Sequence, residues 1–124
     1  MKDRILIVDD KRERLVMLSA VLEANGYEVL SALNGSDALQ LVASTSVDLV
    51  VLDYYMPIMS GGTVAMEMRS MLPDLPIIIY SGALTLPDLV ISMVDGFIST
   101  SEEPEALLAK IAELLHPELE QAAS

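Results

Sequence analysis

The sequence predicts one α/β domain built on a doubly wound, five-stranded parallel sheet. Three observations lead there. Short apolar runs end in acids at Ile5-Leu6-Ile7-Val8-Asp9-Asp10 and at Leu49-Val50-Val51-Leu52-Asp53, the pattern of strands buried on both faces. Such runs alternate along the chain with stretches of helical periodicity, which calls for crossover connections. With 124 residues, 52% of them apolar, the chain can build one real core but hardly two.

Arg4 to Val8 is the first strand. Lys11 to Asn25 reads as a helix with Leu15, Leu18 and Leu22 on one face, closed by Asn25-Gly26 because glycine tolerates the left-handed conformation. Glu28 to Leu33 is strand two. After the Asn34-Gly35 turn, Ser36 is the expected N-cap of a helix over Asp37 to Ser44. Leu49 to Leu52 is strand three. Pro57 and Gly61-Gly62 mark a loop, followed by a helix to Leu72 with Val64, Met68 and Met71 inward. Pro73 and Pro76 bracket the next turn, and Ile77 to Tyr80 is strand four. Pro87-Asp88 begins a short helix reaching Val94. Gly96 to Ser99 is strand five. Pro104 opens a last helix with Leu107, Leu108, Ile111, Leu114 and Leu115 in a stripe, ended by His116-Pro117. Residues 1–117 form the domain; 118–124 read as a C-terminal tail or the start of a linker.

Right-handed crossovers leave few topologies, and the flavodoxin-like order 2-1-3-4-5 is the common one at this size. Strands one and three are then neighbours, and Asp9, Asp10 and Asp53 converge at the switch point. Like charges this close repel. A divalent cation resolves the repulsion, and all-oxygen ligands favour magnesium. One carboxylate can then attack a phosphoryl group while the metal neutralises charge on its oxygens. Asp53 is the natural nucleophile, and Ser81, ending strand four, can hydrogen-bond the new phosphoryl oxygen.

Composition excludes other chemistries. No cysteine is present, so disulfides, thiolate metal sites and cysteine catalysis are out. The net charge of −12 opposes direct nucleic acid binding. No apolar run approaches the roughly 18 residues of a membrane span, and no signal-peptide pattern opens the chain; a cytoplasmic location is expected. Five of the seven basic residues (Lys2, Arg4, Lys11, Arg12, Arg14) lie in the first fourteen positions.

These residues resemble the receiver domain of bacterial two-component response regulators over nearly the full chain. The resemblance is carried by Asp9-Asp10, by Asp53-x-x-Met56-Pro57 with Gly61, by Ser81-Gly82 and by Phe97. It implies that Asp53 is the phosphoacceptor. It implies that Asp10 and Asp53 ligate Mg2+, with Asp9 acting partly through water and Tyr55 giving a backbone carbonyl. Ser81 and Phe97 match the family's switch pair. A sensor histidine kinase or phosphotransfer protein is the implied partner, docking near Met17 and Leu18 on the first helix. Such a domain is a signalling switch rather than an enzyme.

Three features depart from the family pattern. The family places a lysine where this chain has Thr100, which removes a charge-assisted contact to the phosphoryl group; Lys11 is a candidate replacement by its proximity in sequence. The stretch from Ser81 to Phe97 is short by about one helical turn, so the fourth helix is expected to be short, displaced or mobile. Its apolar residues (Leu84, Leu86, Leu89, Val90, Ile91, Met93 and Val94) exceed what one buried face needs; they either repack over the sheet or serve a downstream partner or self-association. Tyr55, two residues past the phosphoacceptor, is expected to slow hydrolysis of the phosphoryl group. Thr100 and the short helix also raise the alternative of a degenerate receiver, a phosphorylation-independent interaction module; the intact acidic triad and Ser81 oppose it. A flavodoxin-like binder of a small anion is a poor fit to an acidic crevice. A haloacid dehalogenase-type hydrolase would need Asp-x-Asp at a strand end and a separate lysine, and neither is found.

Overall fold

Strand and helix alternate throughout the computed structural model, which describes residues 2–118: β1 (Arg4–Val8), α1 (Arg12–Ala24), β2 (Glu28–Ala32), α2 (Gly35–Ser44), β3 (Leu49–Leu52), α3 (Gly61–Met71), β4 (Ile77–Ser81), α4 (Asp88–Met93), β5 (Gly96–Ser99) and α5 (Pro104–Leu115). The strands form one sheet in the order β2-β1-β3-β4-β5, parallel at every pairing. The expected topology is thus the observed one. Residues 119–124, most of the expected tail, lie outside the described part.

Period-two alternation divides the central strands between two cores. Leu6, Val8, Val50, Leu52, Ile77 and Ile79 face α2, α3 and α4 through Ala38, Val42, Val64, Ala65, Met68 and Val90. Ile5, Ile7, Leu49, Val51, Ile78 and Tyr80 face α1 and α5 through Leu15, Leu18, Leu22, Leu107 and Ile111. Each large aliphatic side chain fully withdrawn here contributes roughly 1.5–3 kcal/mol. That double burial explains why the strands read as unbroken apolar runs.

Local details differ from expectation at two places. Asn34, not Ser36, caps α2: its backbone is extended and its side chain accepts from the Asp37 amide at 2.8 Å, which leaves Gly35 and Ser36 inside the first turn. Met71 is the last residue of α3 and is 42% exposed; the buried stripe of that helix ends one turn earlier, at Met68. Gly26 takes φ +91° as the closing residue after α1.

The fourth helix is six residues long, short as expected. Leu86 and Val90 are buried under it, whereas Leu84, Leu89 and Ile91 face solvent. An arginine on α3 holds its far end. Arg69 donates to the Met93 carbonyl from Nε (3.0 Å) and Nη2 (2.8 Å), to the Pro73 and Leu75 carbonyls from Nη1 (2.8 and 2.7 Å), and to Asp95 Oδ2 from Nη2 (2.9 Å). Asp95 Oδ2 also accepts from the Ile77 amide at 2.9 Å. One guanidinium therefore ties α3, the approach to β4 and the α4–β5 link together.

His116, the C-cap of α5, meets Asp3, with Nε2 2.7 Å from Oδ2, while Nδ1 stands 3.5 Å from Glu118. The hydrogen bond to Asp3 raises its pKa above the ordinary value, desolvation works against this, and the charges of Asp3 and Glu118 add to the rise. The folded state thus favours the protonated ring. Its stabilisation is complete below the unfolded value, about 6.5, and is lost as pH rises through the raised value. His116→Gln should therefore flatten part of the fall in Tm as pH rises above about 6.5. Equal slopes in both proteins would show that the pair does not contribute.

Candidate functional site

Three strand ends meet at the carboxyl edge of the sheet. Asp9 follows β1 and is 2% exposed; Asp53 follows β3 and is 4% exposed. The Asp53 amide donates to the Val8 carbonyl at 2.9 Å, which fixes the two strand ends side by side. Asp9 Oδ1 accepts from the Lys11 amide at 2.9 Å, and Oδ2 from Arg14 Nη1 at 3.2 Å. Asp10 is partly exposed, yet its Oδ1 is buried without a hydrogen-bond partner. The Lys11 ammonium lies 3.5 Å from that oxygen, too far for a good hydrogen bond. One carboxylate oxygen from each of Asp9, Asp10 and Asp53 lies within 4.8 Å of the others.

Burial raises the pKa of Asp53, and the neighbouring Asp9 charge raises it further; the Ser81 hydroxyl, the Arg14 guanidinium and the Tyr54 backbone pull the other way. The charged carboxylate is thus under electrostatic pressure that a cation relieves. The donor set is oxygen only, and one donor is orphaned. That suits a hard divalent ion such as Mg2+ better than a softer metal.

The second half of the site sits on β4 and β5. Ser81 is fully buried and its Oγ accepts from the Ala83 amide at 3.3 Å. Its carbonyl accepts from the Thr100 amide at 3.1 Å, so Thr100 stands beside the end of β4. Phe97 is partly buried against the core that contains Ala83, Leu86 and Val90. The Tyr55 side chain is 62% exposed and meets Tyr54 edge to face, with ring centroids 5.2 Å apart. Gly61 opens α3 directly against the end of β3: its amide donates to the Tyr54 carbonyl at 2.8 Å. The intervening loop turns through Ile58, a fully exposed β-branched residue at φ +71°, a backbone region that such residues seldom occupy.

The structure thus brings Asp9, Asp10 and Asp53 together and sets Ser81 and Thr100 side by side. Lys11 does not reach Asp53, because as the N-cap of α1 its side chain reaches Asp10 instead. The cation at Asp53 is Arg14, whose Nη1 stands 3.9 Å from Oδ2. It was missed as a site residue. The available signal was its place in the first turn of α1, immediately before the buried Leu15.

The profile of the response regulator receiver domain matches residues 5–112. The chain belongs to that family. Among relatives of this receiver, the transcriptional regulatory protein PrrA of Mycobacterium leprae is 32% identical over 109 residues, 88% of this chain and 47% of that protein. Response regulator MprA of Mycolicibacterium vanbaalenii is 37% identical over 115 residues, 90% of this chain and 50% of that protein. The receiver spans about half the length of these curated relatives. Response regulator TrrA of Thermotoga maritima, solved in complex with Mg(2+)-BeF, is 37% identical with a TM-score of 0.88, covering 93% of this chain and 100% of that one. TrrA in complex with histidine kinase ThkA gives 36% identity and a TM-score of 0.86, covering 93% of this chain and 99% of that one. No helix among the described residues is long and apolar enough to cross a membrane.

Proposed function

We propose that this receiver takes a phosphoryl group on Asp53 in a magnesium-dependent reaction and passes the change on as a signalling switch. The observation that carries this reading is the convergence of three carboxylates, one of them with a buried oxygen that has no hydrogen-bond partner. Asp10 and Asp53 would hold Mg2+, helped by Asp9 and the Tyr55 main-chain carbonyl. The bound ion supplies charge neutralisation at the transferring phosphoryl oxygens.

Asp53 enters as a carboxylate, so it loses no proton. One of its oxygens forms the new bond to phosphorus while the donor's bond to phosphorus breaks, and the leaving group keeps that electron pair. The Ser81 hydroxyl then hydrogen-bonds the new phosphoryl oxygen. Phe97, on the neighbouring strand, and Thr100, bonded to the Ser81 carbonyl, report its movement. Residues 1–117 form this unit. Its phosphodonor partner is a sensor histidine kinase or phosphotransfer protein, its setting is the cytoplasm, and the exposed apolar residues around α4 serve a downstream protein or self-association. Its acidity argues against direct contact with nucleic acid.

Intact mass after incubation with Mg2+ and acetyl phosphate tests the reading. One added phosphoryl group is expected, absent from Asp53→Asn and absent when the metal is chelated. An adduct that persists in Asp53→Asn would reassign the acceptor. No adduct together with no Mg2+ binding would favour a phosphorylation-independent interaction module.

A further inference from the structure

We propose that Arg14 supplies the fixed positive charge at the phosphoacceptor, in place of the lysine position occupied here by Thr100. This rests on Asp53 being the acceptor. Among the described residues, Asp53 makes its one ion pair with Arg14. Thr100 carries no charge, and the ion pair that Lys11 makes is with Asp10 rather than Asp53.

The geometry suits the role. Arg14 Nη1 holds Asp9 Oδ2 at 3.2 Å and stands 3.9 Å from Asp53 Oδ2. The second distance is too long for a hydrogen bond but short enough for direct attraction. A guanidinium has five N–H donors, and this side chain is 26% exposed, so it keeps donors free for an incoming group. A phosphoryl group on Asp53 would place strong anionic acceptors beside that gap. The helix sets the position. Leu15, Leu18 and Leu22 pin one face of α1 to the sheet. Arg14 lies one step, about 100°, around from that stripe, where its side chain reaches the carboxyl edge.

The same placement has a second effect. A cation among the carboxylates competes with Mg2+ in the resting protein, so removing it should help the metal while hurting the transfer. A residue that merely props up the site would not divide the two.

The test compares the wild type, Arg14→Gln and the double variant Arg14→Gln with Thr100→Lys. Mg2+ affinity is measured by calorimetry without phosphodonor. The rate of phosphoryl gain from acetyl phosphate is measured at saturating Mg2+. Arg14→Gln is expected to bind Mg2+ several-fold more tightly and to react on the order of 100-fold more slowly. Thr100→Lys is expected to restore most of the lost rate. A wild-type rate in Arg14→Gln would overturn the assignment. So would a joint fall in rate and metal affinity that Thr100→Lys leaves unchanged. If the wild type gains no phosphoryl group, the acceptor reading falls and takes this one with it.

Discussion

Gly61→Ala lowers the stability of the domain by about 3 kcal/mol, the upper part of the range for forced overpacking, and weakens Mg2+ binding with it. A Cβ at this position would run into the Asp53 carbonyl oxygen and sit 2.7 Å from Tyr54 Cα. Both obstacles are backbone, so no side chain can rotate away. Either α3 lifts off the sheet or the Asp53–Tyr54 segment moves, and each disturbs the strand end that sets Asp53 beside Asp9 and Asp10. Urea denaturation and a Mg2+ titration check the two parts separately. A variant within about 0.5 kcal/mol of the wild type, the usual scatter of harmless substitutions, would show that the contact relaxes at little cost.

Arg69→Ala should cost a similar amount, about 3 kcal/mol. It removes five hydrogen bonds from a side chain that is 24% exposed. Their separate values do not add, because the carbonyls of Met93, Pro73 and Leu75 can recover some water. Arg69→Lys should rescue less than half of the loss, since one ammonium cannot reproduce the planar fork. Equilibrium denaturation of both variants decides it: a lysine variant as stable as the wild type would reduce the interaction to simple charge attraction toward Asp95.

Much of this architecture was legible in the chain because burial writes itself into composition. Strands covered on both faces must be apolar throughout, so β1, β3 and β4 announced themselves, and the acids and serine that end them marked the site. The network of Arg69 left no such trace. Most of its acceptors are backbone carbonyls, which every residue possesses. Arg14 was hidden for a related reason: a charged residue opening a helix looks like ordinary solvated surface until the sheet edge is placed beside it. The choice between Asn34 and Ser36 as a cap turned on backbone angles, since both side chains can do the work. Met71 carried the right spacing but fell one turn beyond the buried stripe.

The attachment of α4 is lopsided, and this constrains how it can move. Its final residue, Met93, is held by two hydrogen bonds from Arg69, whereas the approach, which follows the fully buried Ser81, is held by the burial of Ala83 and Leu86 and carries the exposed Leu84 between them. Apolar packing is non-directional, whereas hydrogen bonds have a set geometry, so such a helix swings about its hydrogen-bonded end more readily than it slides. Displacement would grow from Met93 toward Leu84, so the longest travel belongs to the end beside Ser81. A small shift at Ser81 would thus be felt first, and most strongly, by the apolar side chains nearest it.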